Sequence, residues 1–281
     1  MRAKKEKPAG QKTLRQEIKE KKGIATLYLV LRAAVILVMI AQFLNGNFEN
    51  VFLCVLTLVL FLAPTFIERA IHIDLPDTLE VIIMLFIFAA EILGEIQSYY
   101  IDYPYWDTML HTLNGFLCAA IGFALVDILN RSEKFSITLS PIFLAITAFC
   151  FSMTIGVLWE FFEFTMDQLF LLDMQKDAVV HAISSVMLDP AGRNNPTAIK
   201  DITDVIVVTA DGAQHALGLG GYLDVGIIDT MKDLFVNFIG AVVFSVIGFF
   251  YVKSRGKGKF ARRFIPQVLP EEETKEEAPV E

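Results

Sequence analysis

The chain has 281 residues, 54% of them hydrophobic and 24 of them phenylalanine, with a formal net charge of −8 and a mean hydropathy of +0.53. This is too apolar for an ordinary soluble domain and identifies an integral membrane protein. The acidic balance, with no phosphate-binding glycine loop and no nucleic-acid signature, leaves nucleic acid out as a partner.

A hydrocarbon core about 30 Å thick takes roughly 20 apolar residues in a helix. Six stretches meet that length or nearly so, at 24–44, 51–67, 79–100, 106–129, 140–165 and 228–251. The expected fold is therefore an all-α polytopic membrane protein with six transmembrane helices. Residues 1–23 form a basic tail, 24–251 the membrane domain, and 252–281 a charged tail whose acidic end from Glu271 reads as disordered.

The first stretch follows a basic leader from Arg2 to Lys22 but has no small-residue cleavage site after its apolar core, so it reads as an uncleaved span rather than a signal peptide. Arg32 lies in its cytoplasmic half, placed to snorkel or to meet Glu80. Nine Lys/Arg precede this span, Arg69 lies between spans two and three, Arg131 and Lys134 lie between four and five, and six more follow span six between Lys253 and Arg263. The loops at 45–50 and 101–105 have none. This alternation expects both termini in the cytoplasm of a bacterial plasma membrane. Cys54, Cys118 and Cys150 all fall inside spans and read as small apolar filler.

Ionisable groups in a bilayer usually face protein, water or a partner charge. Here Glu91, Glu95, His111, Glu160, Glu163 and Asp233 all fall at the same expected membrane face. In span three Glu91 and Glu95 sit one turn apart, a spacing for a shared proton, a cation or a basic partner. In span four Asp107 and His111 share a helix face, so Asp107 can set the imidazole tautomer and leave the other nitrogen for a proton, metal or substrate. A rim Asp and a His bound to a carbonyl is the bland alternative.

Span five leaves the membrane through Glu160, Glu163 and Asp167, an acidic stripe at helical spacing beside Trp159. Interfacial acids reaching water beside a belt aromatic would look the same. In span six Asp229, Asp233 and Asn237 repeat every four residues and descend two turns from the surface. Asp229 also suits a helix N-terminus.

Between spans five and six, 168–227 is an extracytoplasmic insert. Leu169 to Leu188 is expected as an interfacial amphipathic helix. Val205 to Thr209 reads as a strand, turning at Asp211-Gly212 into a β-hairpin. Gly218 to Gly221 reads as the flexible approach to span six and a possible lid.

The motifs Trp106-Asp-Thr-Met-Leu-His111 with Gly115, Glu160-Phe-Phe-Glu163, and Asp229-Thr-Met-Lys-Asp233 with Asn237 and Gly240 resemble the YjdF-like family of bacterial inner-membrane proteins over roughly 106–245. The layout is similar, more distantly, to VanZ-like membrane proteins. Thr108 stands where the family tends to carry Lys, and the long insert is not a general feature of it. No activity follows from the YjdF-like resemblance; the VanZ-like one implies an envelope lipid or its precursor by analogy.

Three functions fit these residues. The first is an outward-facing enzyme, with His111, Glu163 and Asp233 as catalytic and metal-ligating candidates for a divalent ion, supported by Asp107, Glu160, Asp229, Asn237, Glu91 and Glu95. It would act on a lipid-linked or envelope substrate. The second is a non-catalytic scaffold with an envelope partner on 168–227. The third is an ion-coupled transporter, which lacks the expected broken spans and inverted repeats. No serine or cysteine stands in a nucleophile-like setting within the cluster.

Overall fold

The computed structural model describes residues 22–71, 73–131, 139–254, 263–265 and 267–268. The basic leader up to residue 21, Lys134 and the acidic end from Glu271 lie outside the described residues. The chain is an all-α membrane protein decorated by short strand pairs. Among the described residues, five helical stretches are long and apolar enough to cross a bilayer: Lys22–Leu44, Phe48–Ala70, Trp106–Asp127, Pro141–Phe170 and Ile227–Lys253.

Helix α1 (Lys22–Leu44) buries only Leu31 and Val35, as suits a helix that meets lipid on most of its surface. Its Arg32 stays within the bundle edge, donating to the Tyr28 hydroxyl and lying 4.1 Å over the Tyr28 ring. That hydroxyl in turn donates to the Phe61 carbonyl at 2.7 Å, at the break between α2 (Phe48–Leu60) and α3 (Ala63–Ile71). Pro64 in the first turn of α3 suits a helix restart, where its missing N–H costs nothing.

The expected span at 79–100 is built differently from the others. Helix α4 (Asp77–Phe88) runs directly into a π-helix, Ala89–Ile96, and stops at Gln97. Ser98 turns left-handed (φ 59°) into the short α5 (Tyr99–Asp102). The π-helix presses Gly94 against the Tyr100 ring, where a Cβ would come within 2.3 Å of it. The Trp106 indole N–H reaches back to the Ala89 carbonyl, at 3.3 Å. π-helical turns insert an extra residue per turn and often mark functional positions.

Helices α6 (Trp106–Arg131), α7 (Pro141–Phe170) and α8 (Ile227–Lys253) form the tightest unit. Helix α7 starts on a Ser140 cap that accepts from Phe143 N at 3.3 Å, with Pro141 in its first turn. Glycines set the approach: a Cβ on Gly115 would lie 2.0 Å from the Asn237 carbonyl oxygen, and one on Gly240 2.0 Å from that of Thr112. Backbone thus meets backbone where α6 crosses α8. Polar groups finish the joint: Ser152 Oγ donates to Gly115 O at 2.7 Å, and Asn114 Nδ2 donates to Asn237 Oδ1 at 3.0 Å.

The segment joining α7 and α8 differs from expectation at its start. The sequence reading placed a helix over Leu169 to Leu188, but α7 ends at Phe170 and the only later helical turn is the 3-10 turn Val186–Leu188. Asp167 explains the stop. Its two carboxylate oxygens accept from the backbone N–H groups of Met174 (2.7 Å) and Gln175 (2.9 Å), drawing the chain back over the helix end.

The remainder forms antiparallel pairs: β2 (Val179–Val180) with β7 (Tyr222–Leu223), β3 (Ile183–Ser185) with β4 (Thr197–Ile199), and β5 (Ile206–Val208) with β6 (Gln214–Ala216). The last pair is the expected hairpin, with Gly212 at φ +84° and Asp211 Oδ1 accepting from Ala213 N at 3.1 Å. The Gly218 to Gly221 run leads into β7; the residues lying over the polar end of the bundle are Met174 to Lys176. Near the opposite end, β1 (Ile73–Asp74) pairs with β8 (Gln267–Val268).

Candidate functional site

The end of the bundle that carries the insert gathers the N-terminal turns of α6 and α8 and the C-terminal turns of α7 and the π-helix. Because α6 and α8 touch through glycines, the side chains one turn toward that end are forced together. His111 of α6 has Nε2 at 3.4 Å from Asp107 Oδ1 and 3.9 Å from Asp233 Oδ2, while Nδ1 lies 4.0 Å from Glu160 Oε1. One imidazole therefore faces carboxylates from three helices. One ligand atom from each of Asp107, His111 and Asp233 lies within 4.8 Å of the others, close enough together that a metal ion could be held there.

These groups are deeply placed, with Asp233 2% and Glu160 4% exposed. Asp233 Oδ1 and Glu160 Oε2 are buried without a hydrogen-bond partner. Two unanswered carboxylate oxygens in a low-dielectric interior are costly, and a cation or proton is what would answer them.

The other expected residues take different places. Glu163 is buried on α7 and its Oε1 accepts from the Trp159 indole at 2.7 Å, so it stands beside the group that Asp107 forms with His111 and Asp233. Asn237 belongs to helix packing, pairing with Asn114 and touching Met153 Sδ at 3.6 Å. Asp229 accepts from the Lys176 backbone N–H at 2.9 Å and lies 3.8 Å from Lys232. Glu91 is buried with Oε2 unpartnered, and Glu95 meets Lys176 Nζ at 3.3 Å. The three cysteines are free thiols.

Three residues were invisible to a reading by helix faces. Lys232 reaches Asp107 Oδ2 at 3.1 Å, giving that carboxylate a cation on one side and the imidazole on the other. Gln175, from the strap after α7, donates to Thr230 Oγ1 at 2.5 Å, beside Glu160. Lys176, next along, ties the strap to the π-helix through Glu95 and to α8 through Asp229. Asp177 closes the strap, its carboxyl pushed up by partial burial and by the carboxylates of Asp173 and Asp224. Side-chain-to-loop contacts of this kind leave no periodic trace in the sequence, where Asp167 reads only as the last acid of the α7 stripe.

No solved structure matches the chain. An uncharacterized protein of Thermotoga maritima is 26% identical over 107 residues, which cover 38% of this chain and 53% of that protein, so the match spans about half of the relative's length. A family model described as "Predicted membrane protein (DUF2238)" matches residues 25–254, well over half of the chain. That match takes in every helix that contributes to the cluster, and the chain belongs to this family of membrane proteins, the one its span motifs resemble as YjdF-like.

Proposed function

We propose that this protein holds a divalent cation at Asp107, His111 and Asp233 and uses it for hydrolysis or group transfer on a lipid-linked or envelope substrate. The observation that carries the reading is the convergence of those three side chains from two helices, with a buried carboxylate oxygen of Asp233 left without a partner. Three protein ligands leave coordination positions open, which suits a catalytic rather than a structural site. Carboxylates with one imidazole favour a hard or borderline ion, and such an ion supplies a water that is nucleophilic at neutral pH. Glu163, buried one turn beyond Glu160, is the carboxylate we assign to proton transfer with the substrate.

The substrate class rests on position. The cluster lies about a turn inside the end of three apolar helices, where lipid headgroups sit, and the VanZ-like resemblance adds an envelope lipid by analogy. The alternating Lys/Arg bias supports an orientation in which this end faces outside the cytoplasm of a bacterial inner membrane, with both termini inside.

Elemental analysis of the detergent-purified full chain tests the site. Wild type should carry a stoichiometric divalent metal that His111→Ala and Asp233→Ala both lose, and added metal should raise the melting temperature of wild type alone. A folded wild type with neither property overturns the reading in favour of a non-catalytic scaffold. Orientation is tested by single cysteines at Asn47 and Asn194 in a background without the native thiols. An impermeant thiol reagent should label both in intact cells, and protection of either refutes the assigned face.

A further inference from the structure

The two nitrogens of His111 meet different surroundings. Nε2 looks toward Asp107 and Asp233, at 3.4 and 3.9 Å, and Nδ1 looks toward Glu160 on another helix, at 4.0 Å. An imidazole offers a lone pair to a cation at Nε2 only when its proton sits on Nδ1. Inside a membrane bundle, that Nδ1–H needs an acceptor. The cation-facing aspartates are on the opposite edge of the ring. Glu160 is the carboxylate on the correct edge.

We infer that Glu160 is the positioning residue of this site: it accepts the Nδ1–H of His111, holds the ring in that tautomer and aims Nε2 at the cation held by Asp107 and Asp233. The inference rests on the cation reading above. It deepens that reading by giving α7 a defined role in a centre whose ligands all come from α6 and α8. Metal-bound histidines commonly donate their second N–H to a carboxylate in this way.

Three further observations support the assignment. Glu160 is 4% exposed and its Oε2 has no partner, so one oxygen is left open on a carboxyl that the Thr230 and Gln175 side chains also bond. Its neighbour Glu163 is engaged by the Trp159 indole, and Glu160 is the carboxylate of the stripe that stands nearest His111 Nδ1. The register of α7 is also locked one turn and two turns below. A Cβ on Gly156 would meet the Asn237 side chain at 2.8 Å, and Ser152 is bonded to the backbone of α6 at Gly115. Glu160 therefore cannot drift along the helix away from the ring. The 4.0 Å separation is longer than a formed hydrogen bond, which needs about 2.7–3.2 Å. A shift of about 1 Å by the ring or the carboxylate closes that gap. Hydrogen bonds of this kind tighten when the site is filled.

The test uses full-length protein in detergent, labelled with 15N-histidine and titrated with zinc. The chain has four histidines, and His111→Ala assigns the signal. In zinc-loaded wild type, the His111 Nδ1 proton should be downfield and slow to exchange. Glu160→Leu should lose that protected proton and bind zinc on the order of 10–100-fold more weakly. Glu160→Gln keeps an acceptor of the same shape, so it should fold, retain the proton at a less downfield position and recover part of the affinity. A purely structural role for Glu160 would not move the proton resonance. Equal zinc affinity and an unchanged Nδ1 proton in Glu160→Leu or, where that variant fails to fold, in Glu160→Gln overturn the inference. Zinc coordination through Nδ1 overturns it as well. Wild type that takes up no zinc overturns the cation reading itself, a result separable from the others.

Discussion

The first four helices and the last three both bury an apolar cluster, but the last three add a second kind of contact. Among α1 to α4 the core is apolar, built on Val35, Phe61, Leu75, Leu79 and Met84. Its buried hydroxyl, Thr57, bonds back to Leu53 O on its own helix at 2.8 Å. Among α6 to α8 an apolar cluster around Phe123, Leu144 and Phe244 is joined, toward the insert, by contacts through Gly115, Gly156, Gly240, Ser152 and the Asn114–Asn237 pair. In lipid an apolar side chain gains little by leaving the tails, so close backbone approach and interhelical hydrogen bonds carry association. The glycine-packed unit therefore fixes relative helix positions more tightly, and it is the unit that carries His111, Glu160 and Asp233.

The strongest way to break this contrast is to separate α6 from α8. Gly115→Leu has no room, since even a Cβ would lie 2.0 Å from a carbonyl oxygen. It should abolish cooperative melting of the purified protein and with it the metal-dependent shift. Leu79→Ala, in the apolar unit, should remain folded with a lower melting temperature and an intact metal response. If the two variants behave alike, the division of labour is wrong.

Asn237→Leu sharpens the comparison. It removes the bond to Asn114 and leaves the Asn114 Nδ2 donor without its acceptor, at a cost of about 1 kcal/mol. Denaturant or thermal unfolding in detergent checks it, and a variant as stable as wild type would transfer the weight to the glycines alone. The smallest effect belongs to the insert. Gly212→Ala, at φ +84°, should loosen only the β5–β6 hairpin by about 1 kcal/mol. Faster amide exchange at Ile206 and Ala216 with unchanged exchange in α6 would show that the insert folds locally, and slowed or unchanged exchange at the hairpin would contradict it.

Much of this was legible one helix at a time. Hydropathy located the membrane spans because a crossing helix needs a run of apolar residues of fixed length. Four-residue spacing placed Asp107 with His111, and Asp233 with Asn237, since those pairs share a face whatever surrounds them. Asp211-Gly212 announced its hairpin because Gly tolerates positive φ. The helix expected over Leu169 to Leu188 failed because apolar and polar residues alternate there without a competing signal, while Asp167 captured the backbone of Met174 and Gln175.

What the amino-acid sequence by itself determined was a polytopic membrane protein with its acids and one imidazole gathered at one end, since length, hydropathy and periodicity are properties of single segments. Only the tertiary structure decided which acids meet the imidazole. Asp107 rather than Glu163 shares the cluster with His111 and Asp233, Asn237 is drawn into packing, and Lys176 crosses from the insert to Glu95. The reason is geometric: helix period fixes the direction of a side chain relative to its own axis, but the depth and rotation of one helix against another are set by contacts such as Gly115 on Asn237 and Gly240 on Thr112. Those contacts join residues far apart in the chain, and no local pattern encodes them.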